Sequence, residues 1–125
     1  MKIIKTKINY QDKRGVIRDI LTHITIDAIT YLTSKKGAVR GNHYHKKTIQ
    51  YEYILGGEYL CATRLDTGGK VSKHILKEGD LAVHPPHEVH TLKALKDAAM
   101  LSITKGPRKG FDYEKDTFRL DESLI

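Results

Sequence analysis

The chain has 125 residues, 39% apolar and 30% charged, enough for one modest core in a soluble domain. No apolar run approaches the roughly 20 residues that a membrane helix needs, and the lysines and isoleucines alternating over Met1 to Lys7 lack the apolar stretch of a signal peptide, so a cytoplasmic protein without a membrane partner is expected. The net charge of +7, with histidine neutral, suits an anionic partner, but the densest basic cluster is only Lys105 to Lys109, and nucleic acid is not expected.

Short apolar runs follow one another, separated by glycine, proline or Asp/Lys pairs, with no linker or repeat. Asp12-Lys13-Arg14-Gly15 reads as a turn and Val16 to Leu21 as the strand after it. Ile24 to Leu32 is β-branched and partly alternating, which favours a strand over a helix, and Lys35-Lys36-Gly37 breaks it. Gln50 to Leu55 is a strand closed by Gly56-Gly57, a hairpin signal. Glu58 to Leu65 and Val71 to Leu76 flank a turn at Asp66-Thr67-Gly68-Gly69, and Cys61, alone in the chain, reads as a small apolar strand residue. After a turn at Glu78-Gly79-Asp80, Leu81-Ala82-Val83 stops at Pro85-Pro86, a pair that strand interiors do not tolerate. Thr91 to Ile103 has some helical spacing in its apolar residues, but two strands with a turn at Lys96-Asp97 are preferred. The polar tail from Gly106 to Ile125 is expected to be irregular and to wrap the domain or pack on a partner. Short strands at roughly 8–12 residue spacing predict an all-β sandwich or barrel, with residues 1–125 as one domain.

Two segments carry chemistry. The first runs from Gly37 through Arg40-Gly41-Asn42-His43-Tyr44-His45 to Gln50 and Gly57. In an extended chain, side chains two apart share a face, so His43 and His45 aim together and can lean onto one metal ion. An oxygen ligand could then come from Gln50 or Glu52, which share a strand face. The second segment, Gly79 to His90, holds His84, His87 and His90 around the proline pair. The prolines argue against a helix, so one of these histidines is expected to face the site and the others to lie on a loop.

The two segments resemble the two motifs of the cupin family. Gly37, His43, His45, position 50 and Gly57 fall in the register of the first motif (about 37–57), and Gly79, Pro85 and His90 in that of the second (about 79–94). His87 stands where glycine is usual, and Gln50 where glutamate is usual. The resemblance implies a cupin β-barrel, also described as a double-stranded β-helix or jelly roll. It implies a divalent metal such as Zn, Ni, Mn or Fe on His43, His45, Gln50 and His90. With a neutral amide at position 50 the site loses one negative charge, so weaker binding, or no metal at all, is also in keeping with the residues.

Arg40-Gly41-Asn42-His43-Tyr44-His45 further resembles the Arg-Gly-x-His signature of the RmlC-like deoxysugar cupins. Among these are the WxcM-like sugar 3,4-ketoisomerases and the dTDP-4-dehydrorhamnose epimerases. Asp12-Lys13-Arg14-Gly15 is similar to their early turn, and Phe111 to Phe118 to the tail of CapF-type capsular polysaccharide enzymes. This resemblance implies an isomerase or epimerase of a nucleotide-linked 4-keto-6-deoxysugar, serving cell-surface polysaccharide biosynthesis. His43 would be the base, Arg40 the diphosphate or enolate partner, and a tyrosine, Tyr53 or Tyr51, the opposing acid. Arg40, Asn42, Glu52 and His87 would contact substrate, and the domain would pair as a homodimer. Two rival functions fit the same motifs: a metal-dependent dioxygenase, and a sugar-binding module without catalysis.

Overall fold

A computed structural model describes all 125 residues. Its strands are β1 (Lys2–Lys5), β2 (Tyr10–Asp12), β3 (Gly15–Ile17), β4 (Ala28–Ser34), β5 (Val39–Tyr44) and β6 (Ile49–Gly56). There follow β7 (Glu58–Leu65), β8 (Gly68–Lys77), β9 (Asp80–His84), β10 (Glu88–Ala94) and β11 (Ala98–Lys105), then a one-turn helix α1 (Asp112–Lys115) and β12 (Phe118–Arg119). One five-stranded sheet has the order β1-β9-β6-β11-β4 and the other β12-β5-β10-β7-β8, while β2 and β3 form a separate hairpin. All pairings are antiparallel. The expected all-β jelly roll is therefore present, as two facing sheets rather than one closed hydrogen-bonded barrel. No helix is long and apolar enough to cross a membrane.

The strand expectations hold over β6 to β11 and shift near the N-terminus. Arg18 to Leu21, expected in a strand, lie beyond the end of β3, and β4 begins at Ala28 rather than Ile24. The guanidinium of Arg18 instead reaches back to the carbonyl of Thr6 at 2.7 Å. Gly56-Gly57 closes no hairpin, because β6 and β7 belong to different sheets. The chain crosses between sheets there, with Gly57 at φ +76° and the Asp97 carbonyl oxygen 2.5 Å from where a Cβ would stand. Only glycine meets both demands without strain.

Alternation sorts each strand into an inward and an outward row. The inward rows of both sheets meet in a core of Ile54, Tyr59, Cys61, Leu76, Ala82, Leu92, Ala94, Ala98 and Met100. Each fully buried large aliphatic there contributes about 1.5–3 kcal/mol by leaving water. Cys61 lies wholly within this core, and burial pushes its thiol pKa up, as fits an unreactive apolar residue. Toward the other end the same rows turn polar. Ile54 gives way to Glu52 and Gln50 on β6, Ala82 to His84 on β9, and Leu92 to His90 on β10, all buried. The site is thus the far end of the core.

The tail wraps the domain and is more ordered than its composition suggests. β12 pairs with β5, setting the Phe118 ring 5.3 Å from that of Tyr44. The Asn42 amide donates to the carbonyls of Leu120 and Glu122 at 3.3 and 3.2 Å, and its oxygen accepts from Thr91 Oγ1 and the Leu124 N–H.

Gly57→Ala is expected to lower the unfolding free energy by about 2–3 kcal/mol, from the left-handed φ and the occupied Cβ space together. Urea unfolding compared with the wild type checks it; a change near zero would mean the corner relaxes freely.

Candidate active and metal site

In the middle of β5 two left-handed residues in succession, Gly41 (φ +80°) and Asn42 (φ +59°), kink the chain. A Cβ on Gly41 would stand 2.7 Å from the His90 carbonyl oxygen, so glycine lets β5 close onto β10 where the ladder is irregular. Asparagine is among the few other residues that adopt such a φ readily. Past the kink, His43 lies opposite His90 in the register, and the two rings meet edge to face with centroids 4.7 Å apart. The His45 ring is 4.9 Å from that of His43 and 5.6 Å from that of His90. The ligand nitrogens of the three lie within 4.8 Å of one another. The convergence expected from two distant stretches of the chain is present.

Hydrogen bonds define where the protons sit. A carbonyl oxygen only accepts, so His45 donates from Nδ1 to the Asp116 carbonyl at 2.8 Å, and His90 donates from Nδ1 to the Glu88 carbonyl at 3.2 Å. Neutral rings held this way present bare Nε2 lone pairs. The Nε2 atoms of His43 and His90 are buried with no partner. His45 Nε2 faces Gln50 Oε1 at 3.1 Å. With the His45 proton on Nδ1, Nε2 and Oε1 are two acceptors facing each other, which a cation between them would satisfy. Burial, reinforced by repulsion from His45, pushes the His43 pKa down to about 4, and burial with repulsion from His84 holds His90 well below the usual histidine range. Both are uncharged at neutral pH. Their orphaned nitrogens, with Gln50 Oε1, make a donor set that fits a divalent metal.

His84 is a site residue that the sequence leaves on a loop. It is fully buried and stacks on His90 with centroids 4.5 Å apart. Burial alone would lower its pKa, but Glu52 and Glu88 together raise it to about 9. Nδ1 meets Glu88 Oε1 at 3.0 Å and Nε2 meets Glu52 Oε2 at 3.3 Å, so His84 is an imidazolium between two carboxylates. Its position two residues after inward-facing Ala82 was the available signal.

Around these groups lies a cavity of about 250 Å³. Gln50, Glu52 and His90 line its buried part, and His43, Arg40, Arg108 and Tyr113 also border it. Arg40 donates to the Ser34 hydroxyl and the Thr33 carbonyl at 2.8 and 2.5 Å, leaving the rest of its N–H groups free. The structure does not bring Tyr53 to the cavity. It alternates with Glu52 and Ile54 on β6, and so lies on the outer face beside Val16 and Arg18, as does Tyr51 two residues earlier. The tyrosine that borders the cavity is Tyr113, from the tail, its ring 5.2 Å from that of His45 and 4.3 Å beneath the Arg108 guanidinium. Asn42, tied to the tail, is outside the cavity as well. His87 is exposed on a turn, where it pairs with Asp66 at 2.8 Å. It keeps the left-handed φ (+68°) that glycine takes easily, and its N–H reaches the His45 carbonyl at 2.7 Å.

The facing sheets and the inward histidines of two separated motifs define a small β-sandwich with a ligand-capable pocket at one end. Residues 30–104 match the cupin domain family, and the chain belongs to it. No curated protein matches the sequence. Among solved structures, dTDP-4-dehydrorhamnose 3,5-epimerase from Sulfolobus tokodaii superposes with a TM-score of 0.82 at 23% identity, over 98% of this chain and 78% of that one. The sugar 3,4-ketoisomerase QdtA from Thermoanaerobacterium thermosaccharolyticum, in complex with TDP, gives 0.79 at 21% identity over 96% and 88%. The capsular polysaccharide assembling protein CapF from Staphylococcus aureus gives 0.64 at 20% identity over 94% of this chain and 33% of that one. At these identities the likeness establishes the fold.

Asp116 fastens the tail that carries Tyr113. Burial alone would raise its pKa, but the Thr48 hydroxyl and the N–H groups of Lys46, Lys47 and Thr48 hold the carboxylate below its ordinary value. Its stabilisation is therefore complete above about pH 4 and is lost as pH falls through the lower folded-state value. Asp116→Asn is expected to cost about 1–3 kcal/mol at neutral pH and to flatten the decline in stability below about pH 4. Urea titrations on both sides of that pH check the two effects.

Proposed function

We propose that the protein isomerises or epimerises a nucleotide-linked 4-keto-6-deoxysugar in the biosynthesis of a cell-surface polysaccharide. One observation carries the reading: a bare, buried imidazole nitrogen at His43 borders the same cavity as two arginines. A cavity of about 250 Å³ falls just below the range of pockets that engulf a whole drug-sized ligand. It suits a single sugar ring, with the nucleotide diphosphate held outside by Arg108 and the free N–H groups of Arg40 left for the ring. The positive surface favours such an anion, and the epimerase and the TDP-bound ketoisomerase with the same fold support the substrate class.

The chemistry begins with a proton beside a ketone, acidic because the resulting enolate spreads its charge onto oxygen. His43 is unprotonated in the free site and takes that proton through Nε2. Arginine N–H groups bordering the cavity stabilise the enolate oxygen. Passing the hydroxyl proton of carbon 3 to the enolate oxygen at carbon 4 and returning the carbon-bound proton to carbon 4 moves the ketone to carbon 3, whereas returning the proton to the same carbon from the opposite face inverts that centre. Tyr113 takes the donor role assigned from sequence to Tyr53, since it is the tyrosine at the cavity. Incubation with a dTDP- or UDP-4-keto-6-deoxyhexose in deuterated water is expected to place deuterium at carbon 3. His43→Asn should slow this exchange by about 10²–10⁴-fold. With the His43 pKa near 4, kcat/KM should stay flat from neutral pH down and fall only as pH approaches that value. No exchange and no new sugar would reject the proposal.

The facing acceptors at His45 and Gln50 favour a second reading, in which His43, His45, Gln50 and His90 hold a divalent metal. When bound, such an ion polarises the substrate carbonyl as a Lewis acid. One imidazole cannot ligate and accept a proton at once, so exchange that survives chelator treatment supports His43 as the base. Exchange that needs added metal supports the ligand role.

The homodimer belongs to the same proposal. Edge strand β4 leaves Ile29 and Tyr31 exposed at 61% and 64%, an apolar strip of the kind a second copy covers. Light scattering is expected to give twice the 14.2 kDa chain mass. A mass equal to one chain would reject the pairing.

A further inference from the structure

A side-chain amide beside a bare histidine nitrogen would ordinarily turn its NH₂ toward that nitrogen, donor to acceptor. Gln50 does the reverse, pointing Oε1 at His45 Nε2 at 3.1 Å. The cause lies on the other side of the amide. Gln50 Nε2 donates to Glu52 Oε1 at 2.8 Å, a buried, charge-assisted bond stronger than a neutral one to an imidazole. Glu52 is itself fixed, because its second oxygen meets His84 Nε2 at 3.3 Å and His84 is braced from the other side by Glu88 at 3.0 Å. Glu52 stands outside the group of three histidines whose donor atoms lie within 4.8 Å of one another.

We propose that Glu52 is a positioning residue: by holding Gln50 Nε2 it presents Gln50 Oε1, beside the three imidazoles, as the oxygen ligand of a divalent cation. The inference rests on the metal reading above. The negative charge that a glutamate at position 50 would bring directly is moved two residues along the same strand face, and reaches the cation through a neutral amide.

Glu52→Gln separates this role from a merely structural one. The new side chain has one acceptor oxygen for two claimants, and His84 Nε2, held in place through Nδ1 by Glu88, takes it. Its NH₂ then faces Gln50, which turns its own oxygen to meet it and away from His45. Chelator-treated full-length protein is titrated with cobalt(II) chloride by calorimetry and visible absorption. Affinity is expected to fall about 10–100-fold in Glu52→Gln, while at saturation the absorption bands stay where the wild type has them. Gln50→Ala should lower affinity and move the bands, since a direct ligand is lost. Should Glu52→Gln not fold, Glu52→Asp keeps the charge near His84, falls short of Gln50, and is expected to show the same loss with unmoved bands. Unchanged affinity in the position-52 variants overturns the proposal, as do shifted bands at saturation, which would make Glu52 a ligand itself. A wild type that binds no cobalt overturns the metal reading and this inference with it, and leaves the deuterium-exchange test of the sugar chemistry standing.

Discussion

A single buried line of hydrogen bonds orders the working end of this protein. It runs from Glu88 through His84, Glu52, Gln50 and His45 to the Asp116 carbonyl, joining β10, β9, β6 and the tail. Charged groups leave water at a cost of several kcal/mol each unless they are paired and hydrogen-bonded. Here both carboxylates meet the same imidazolium, and every other member of the line has a defined neighbour. Because each link fixes the orientation of the next, little freedom remains in how the histidine nitrogens are aimed. The apolar half of the interior, from Ile54 to Met100, anchors the strands from which these groups project.

Much of this arrangement was legible before any coordinates. The alternation of β6 and the glycine-bounded runs of β7 to β11 announced strands, the two-residue spacing of His43 and His45 put them on one face, and the resemblance to the second cupin motif singled out His90. The failures have physical causes. Arg18 to Leu21 and Ile24 to Ile26 have strand-like composition but enter no strand pairing, and the ladder with β11 begins only where the Asp27 N–H meets the Thr104 carbonyl at 2.8 Å. Gly56-Gly57 signals a sharp reversal of the chain, and nothing local distinguishes a hairpin from a passage between sheets. Tyr53 was placed in the site by residue type, although its place between inward-facing Glu52 and Ile54 turns it to the other face of the sheet. Tyr113 was missed because the tail has no period, and its place depends on Asp116 gripping three amides nearly seventy residues away.

The fold is shared with proteins whose chemistry differs in detail, so the site has to carry the functional argument. Two departures from the family pattern give this site its character. Gln50 puts a neutral amide where glutamate is usual, while Glu52 and His84 place an ordered charge pattern behind it. His87 shows that the backbone turn of the second motif survives without glycine, at the expense of a left-handed φ on a side-chain-bearing residue.

The tail supplies one wall of the cavity, through Arg108 and Tyr113, yet contributes only the two residues of β12 to the main sheets. The sandwich and the chamber it encloses are to that extent separately written in the chain. Residues 106–115, which carry Arg108 and Tyr113, are then the natural place to begin re-engineering selectivity while leaving the sheets alone.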